Sequence, residues 1–195
     1  MIRSNQCRLA HSSFISQIPG IKLNRLTLDH EIRPFDCEED DLNGFLFTDA
    51  KPLQEHLLWV TYLLETPSNT VAYFSVANDR LVINVSENRD FKHELRAKYN
   101  SDILYRLFEQ PFFPAVKLGR FAVSKEFKRK GIGSELLDYV KYFFIHNNKT
   151  GCCFITVDAL NKCEATNFYQ KNGFEFLTVS DLTHPTRTMY YCLMI

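Results

Sequence analysis

"LGRFAVSKEFKRKGIGSELL", Leu118 to Leu137, is the stretch on which the fold turns. Together with the three residues before it, it opens as a strand, AVKLGRFAV (115–123), then runs through three adjacent cations, Lys128, Arg129 and Lys130. It crosses Gly131 and Gly133 and enters a run in which Ile132, Leu136, Leu137, Val140, Phe143 and Phe144 recur at helical spacing. The order is therefore strand, cationic glycine loop, amphipathic helix. A helix start leaves backbone N–H groups without intrahelical partners, and the helix dipole makes that end partly positive. Glycines remove the Cβ atoms that would keep an anion from those amides. Between residues 117 and 150, 8 cations face 3 anions, a local excess of +5 in a chain of net charge zero. Charge concentrated in one segment suits a small polyanion such as the phosphates of a coenzyme. The spacing fits neither of two familiar phosphate loops. The Walker pattern is absent, and the third residue after Gly133 is Leu136 where a dinucleotide fingerprint needs glycine.

Working toward the C-terminus, NNKTG is a turn leading into the apolar strand CCFITVDA. A helix near 162–172 follows, stopped by Asn172-Gly173 in a left-handed terminus. FEFLTVS and TRTMYYCLMI read as two closing strands, the last an apolar edge that invites pairing between subunits, hence a homodimer. Toward the N-terminus, WVTYLLE and TVAYFSVAN flank TPSN as an antiparallel hairpin over about 58–77. The polar segment 88–109 reads as a helix ended by Pro111 and Pro114. Leu42, Phe45, Leu46 and Ala50 predict a helix near 38–50, with Asp36 and Glu39 as a capping-box variant. The acidic run Asp36, Glu38 to Asp41 reads as helix N-terminal charge, because it lacks the alternating ligands and glycine of a calcium loop. KLNRLTL (22–28) is a first strand, and residues 1–20 a loosely ordered lead-in.

Composition bounds the rest. At 195 residues and 45% hydrophobic, residues 21–195 are expected to form one domain with a substantial core. Lys plus Arg and Asp plus Glu number 23 each, so no global field favours nucleic acid or an anionic membrane. The N-terminus shows no signal-peptide pattern, and the longest apolar stretch, LLWVTYLL, is too short to span a bilayer. A cytoplasmic protein is expected. Six cysteines without C-x-x-C spacing read as reduced, mostly buried thiols, with Cys152 and Cys153 pointing oppositely in a strand. The six histidines form no ligand cluster, so no metal is expected. The element order predicts an α/β (α+β) fold with a mixed, mostly antiparallel central sheet and helices on both faces.

"LGRFAVSKEFKRKGIGSELL" followed by "FITVDALNKCEATNFYQKNGFEFL" resembles the GNAT family of N-acetyltransferases, over about 117–177. The family's [Q/R]-x-x-G-x-[G/A] loop falls on Lys128, Gly131 and Gly133, with lysine where glutamine or arginine is usual. Its A-x-x-F-Y-x-x-x-G-F helix falls on Ala165, Phe168, Tyr169, Gly173 and Phe174. The resemblance implies the GNAT acyl-CoA N-acyltransferase fold, acetyl-CoA as co-substrate and an amine acceptor. It implies that amides from Arg129 to Ser134, Ile132 included, wrap the coenzyme diphosphate, with Lys128, Arg129 and Lys130 adding charge. The edge at Phe121, Ala122 and Val123 would pair with the pantetheine amides, and the Val123 N–H would serve the oxyanion. Tyr169 would protonate the leaving thiolate, a phenol of pKa near ~10 being protonated at neutral pH. A packing role for Tyr169 beside Phe168 stands next to that reading. Asn161 and Asn167 would bond the coenzyme, against helix capping for the first and solvent for the second.

No general base follows from the sequence. Glu126 sits beside lysines, where a surface salt bridge is the alternative, and Asp158 ends a strand, where it could cap a turn. The acceptor is expected to be set by the first helices and the charged segment 85–114. "FDCEEDDLNGFLFTDA" with the VDA and FY-x-x-x-GF signatures resembles the acetyltransferase toxins of toxin–antitoxin pairs. That finer resemblance implies acetylation of aminoacyl-tRNA and a small DNA-binding partner, and needs a basic tRNA-docking face that a net charge of zero argues against. A small-molecule or protein amine is the preferred acceptor, and a non-catalytic acyl-CoA-binding module is the alternative of a different class.

Overall fold

In a computed structural model of the chain, residues 15–82, 93, 97, 110–146 and 150–194 are described. The expected helix of 88–109 and the acceptor wall of 85–114 lie mostly outside them. Backbone contacts divide the chain into two compact units, Met1–Ser75 with Arg120–Leu137, and Val76–Gly119 with Asp138–Ile195. The strands are β1 (Lys22–Arg25), β2 (Val60–Glu65), β3 (Thr70–Val82), β4 (Phe112–Val123), β5 (Phe154–Leu160), β6 (Glu175–Phe176) and β7 (Thr186–Cys192). They are hydrogen-bonded in the order β1-β2-β3-β4-β5-β7-β6, a mixed and mostly antiparallel sheet. The helices are α1 (Asp40–Gly44), α2 (Ala50–Glu55), α3 (Ile132–His146) and α4 (Cys163–Lys171).

In the first unit, β1 runs antiparallel to β2 from Lys22–Glu65 to Arg25–Tyr62. Leu26, Phe35, Cys37, Phe45, Leu46, Ala50, Leu63, Tyr73 and Ala122 form its buried core. Tyr73 stands centrally, edge-on to Phe35 at 5.4 Å and stacked on Phe45 at 6.1 Å, its hydroxyl donating to Leu42 O at 2.7 Å. The helix expected near 38–50 begins at Asp40 and continues to Glu55 through a π-helical turn, Phe45–Asp49. The widened turn precedes Pro52, which has no N–H to give and whose ring a continuous α-ladder would resist. No capping box forms: Glu39 is the N-cap without a side-chain bond, and Asp36 Oδ1 instead accepts from Glu38 N at 2.8 Å and Asn43 Nδ2 at 3.0 Å. The hairpin stands at the expected place, its turn fastened by Thr66 and Asn69. At the end of β2, Glu65 is fully buried and bonded by Asn24 at 3.1 Å and His30 at 3.0 Å.

In the second unit, Leu81, Phe113, Ala115, Phe154 and Tyr190 make the core, with Phe113 and Tyr190 edge-on to Phe154. β4 and β5 run parallel, joined through α3 as a parallel pair requires, but share three register pairs, Ala115–Phe154 to Lys117–Thr156. β5 pairs antiparallel with β7 over seven, Phe154–Cys192 to Leu160–Thr186. β7 is therefore no bare edge: β5 lies along it, and β6 covers Met189 and Tyr190. The strand expected over FEFLTVS is only Glu175–Phe176. Beyond it Thr178 Oγ1 accepts from Ser180 N at 3.1 Å, a local turn that competes with the ladder. Arg187 and Asp181, both buried, then tie the loop down through Nε–Oδ1 at 2.6 Å, with Thr188 N on Oδ2 at 2.7 Å. Cys152 and Cys153 precede β5 instead of lying in it. Of the described cysteines all are free, but only Cys37 is fully buried and Cys163 is exposed. Burial pushes the Cys153 thiol up to about 12.

Candidate active site

β4 leaves its ladder at Val123. Ser124 N then bonds Val71 O at 2.8 Å, Lys125 N bonds Asp36 O at 2.8 Å, and a single 3-10 turn covers Lys125–Phe127. Two residues next adopt left-handed backbone, Arg129 at φ 60° and Gly131 at φ 79°. The reversal they make delivers the chain to the start of α3. A Cβ built on Gly131 meets nothing within 4 Å beyond its chain neighbours, so the loop is open on that side. The first capturing bond of the helix is Glu135 N to Gly131 O at 3.1 Å. The amides of Ile132, Gly133 and Ser134 precede it and point out of the helix start, the arrangement that receives an anion. Ile132, Leu136 and Leu137 are buried, which fixes the helix and hence those amides. In the other direction Glu135 Oε2 accepts from Ile15 N at 2.9 Å.

The three cations of the loop differ. Lys128 Nζ donates to Cys37 O at 2.6 Å and to Glu38 Oε2 at 3.1 Å. Lys130 Nζ donates to Glu126 O at 2.8 Å and lies 5.4 Å from the centre of the Phe127 ring. The contact expected of the Glu126 carboxylate is thus made by its main-chain oxygen. Arg129 is exposed and has no side-chain partner among the described residues. Asp36 holds Lys125 through Oδ2 at 2.7 Å, and this bond, with the Glu38 and Asn43 donors, brings its carboxyl down to about 2. The acidic run therefore divides: Asp40 and Asp41 occupy the first turn of α1 as expected, while Asp36 and Glu38 reach residues some ninety positions away. Sequence spacing could not signal that pairing. So the first unit brings together Phe121, Ala122, Val123, Lys128, Arg129, Lys130, Gly131, Ile132, Gly133 and Ser134 in one strand–loop–helix segment.

Asn161, Asn167 and Tyr169 belong to the second unit. Asn161 spends both amide hydrogens on Leu182 O and His184 O, at 2.8 and 2.9 Å, and so secures the 182–184 loop. Asn167 is exposed on α4. Tyr169 is 9% exposed, edge-on to Phe168 at 5.2 Å and Phe174 at 5.4 Å. Burial raises its phenol above the ordinary range, and its hydroxyl has no partner among the described residues. The C-terminus of α4 is closed as its sequence predicts, with Gly173 at φ 81° and Phe174 N on Tyr169 O at 3.0 Å. Lys141, 11% exposed, fastens it further by donating to Asn172 O at 2.9 Å and to Asp138 Oδ1 at 2.8 Å, with its ammonium 4.7 Å from the Tyr191 ring centre. Asp158 lies within β5, not at its end, and is held by Lys117 and by Thr188 Oγ1 at 3.2 Å. Among the described residues no group of three ligating side chains is placed to hold a metal, and no helix is long and apolar enough to cross a membrane.

Residues 97–176 match the family model described as the acetyltransferase (GNAT) domain. No curated protein matches the chain by sequence. Solved structures do match. The chain is 21% identical to AtaT complexed with acetyl-methionyl-tRNAfMet, with a TM-score of 0.67 over 88% of this chain and 94% of that one. AtaTR bound with acetyl-CoA is 20% identical, with a TM-score of 0.66 over 90% and 95%. The KacTA–DNA complex is 20% identical, with a TM-score of 0.62 over 88% and 94%. The chain thus has the GNAT fold, with residues 97–176 matching the acetyltransferase (GNAT) domain.

Proposed function

We propose that this GNAT-fold chain moves the acetyl group of acetyl-CoA directly to a primary amine, and that residues 21–195 act as one catalytic domain. The observation that carries the reading is the loop at 128–134. At its left-handed Gly131 a would-be Cβ meets nothing within 4 Å beyond the chain neighbours, at the mouth of a helix whose first amides are unclaimed. A diphosphate matches that donor set in charge and size. Phe121, Ala122 and Val123 lie beyond the last register pair that β4 makes with β5, and their backbone is suited to pantetheine amides. The Val123 N–H would stabilise the oxyanion.

The acceptor must attack as a free amine. Its nitrogen bonds to the carbonyl carbon, the carbon–sulfur bond breaks, and the sulfur leaves as a thiolate that takes a proton from Tyr169. Burial keeps the phenol protonated but also makes it a weaker acid, so the assignment rests on the match of Tyr169 to the A-x-x-F-Y-x-x-x-G-F helix. The ammonium product loses its extra proton to solvent or to the phenolate. Asp158 is engaged by Lys117 and Thr188, which favours a route without a dedicated carboxylate base. Asn161 acts through the loop it holds, since both its donors are spent.

A second acceptor reading, aminoacyl-tRNA, is favoured by the AtaT and KacT likeness, which spans most of the chain. On that reading a DNA-binding antitoxin would be the partner. Against it stands the local charge: Asp36 and Glu38 already neutralise Lys125 and Lys128. The test is release of CoA thiol on incubation with acetyl-CoA and a pool of small amines, peptides and charged tRNA. Release with amines or peptides supports the first reading, and release confined to charged tRNA the second. Binding of acetyl-CoA without turnover on any acceptor would leave a non-catalytic module and refute both.

A further inference from the structure

We infer that the loop 36–43 is a bracket that sets the shape of the diphosphate cradle, with Asp36 and Glu38 as its positioning residues and Lys128 as its clamp, not a phosphate ligand. The inference rests on the coenzyme reading above and assigns the loop's charges within it. Lys128 has two of its three ammonium hydrogens committed, to Cys37 O and Glu38 Oε2. Lys125 is held twice, through its own N–H on Asp36 O and its ammonium on Asp36 Oδ2. Both cations thus bind inward to the same short loop.

That loop is itself stiff. Asp36 Oδ1 accepts from Glu38 N and Asn43 Nδ2, and Asn43 Oδ1 accepts from Cys37 N at 3.0 Å and Cys37 Sγ at 3.2 Å. Cys37 is buried in the core, so the bracket is bolted to the core at one end and to the cradle at the other. Glu38 at φ 65° and Arg129 at φ 60° are non-glycine residues in left-handed backbone, one on each side of the Glu38–Lys128 pair. Each such residue costs about 1–2 kcal/mol, and it persists only where surrounding contacts impose it. Here the contacts are the two bonds of Lys128. Turning Arg129 to that backbone leaves its guanidinium outward and without a partner, which makes it the cation available to phosphate. A lysine at 128, where the family pattern has glutamine or arginine, suits the clamp. A compact ammonium can turn its three donors toward a carbonyl and a carboxylate in any direction, whereas the donors of a guanidinium are confined to one plane.

The alternative, that Lys128 is a phosphate ligand restrained by Glu38, predicts the opposite sign. Calorimetry of acetyl-CoA binding is run on the wild-type chain, Glu38→Gln, Lys128→Met, Arg129→Gln and the swap Glu38→Lys with Lys128→Glu, with thermal melts to verify folding. The bracket predicts roughly 2- to 5-fold weaker binding in Glu38→Gln and Lys128→Met, the range an exposed ion pair supports, with recovery in the swap. KM for acetyl-CoA rises in step while kcat holds. Affinity loses part of its salt dependence in Arg129→Gln but not in Lys128→Met. Asp36→Asn, which keeps the outline of the carboxylate, repeats the sign of Glu38→Gln. Tighter binding in Glu38→Gln, or a swap weaker than either single variant, overturns the bracket while the coenzyme reading stands. A folded wild-type chain that binds no acetyl-CoA overturns both.

Discussion

Replacing Tyr169 by phenylalanine removes one oxygen and little else. The ring sits edge-on to Phe168 and Phe174 at 5.2 and 5.4 Å, and phenylalanine keeps both contacts. The hydroxyl has no partner among the described residues, so no acceptor is orphaned, and the melting free energy should stay within about 0.5 kcal/mol of wild type. The reaction is another matter. A positioned proton donor contributes on the order of 10²–10⁴ in rate, and a hundredfold loss is about 2.7 kcal/mol of barrier. Thiol release by Tyr169→Phe is therefore expected to fall at least ~100-fold with the acetyl-CoA dissociation constant unchanged. Burial raises the phenol, so the wild-type rate should show no descending limb from this group below pH ~10. The same burial makes the neutral phenol a stabilising form up to its unfolded value, with that contribution lost at still higher pH. A Tyr169→Phe rate within twofold of wild type would refute the donor role. A melt lowered by several degrees would instead show the oxygen to be structural.

Gly131→Ala tests the cradle. Its φ of 79° is unfavourable to alanine by about 1–2 kcal/mol, a drop of a few degrees in Tm, while the methyl fills the open side and should weaken acetyl-CoA binding roughly tenfold; unaltered binding by calorimetry would argue against the cradle. Asp36 is held down to about 2, chiefly by its bond from Lys125, so its contribution is complete above the ordinary 3.8 and is lost as pH falls through about 2. An acid-unfolding curve should accordingly show an inflection that Asp36→Asn removes. Asp181→Asn leaves Arg187 buried without its counter-charge and should cost about 3 kcal/mol, read as a shift in the denaturant midpoint with thiol-release kcat retained.

The strand–loop–helix at 115–146 and the helix ending at Gly173 were legible because their signals are local: glycines at reversals, apolar spacing on one face, a turn residue at a terminus. The helix from 40 was half legible. Its apolar positions marked the start, but Pro52 masked the continuation that a widened turn permits. FEFLTVS was misread as a full strand because Thr178 and Ser180 bond each other locally, and Asp181 and Arg187 complete the detour. The cationic loop could be picked out from its charge, but not the disposition of that charge. Lys125, Lys128, Asp36 and Glu38 balance only once the chain has folded, and nothing in linear spacing pairs positions ninety residues apart.

The lysine that closes the Tyr169 helix carries a consequence for chemical labelling. An ammonium shared among a carboxylate, a carbonyl and an aromatic face, with 11% of its surface in water, cannot present a lone pair to an electrophile without first letting go of all three. Acylating reagents should reach the chain's exposed amines well before Lys141. The rate at which that one side chain is finally modified would time the fraying of the last turn beside Asn172, and an acceptor or coenzyme that quiets the turn would slow the clock.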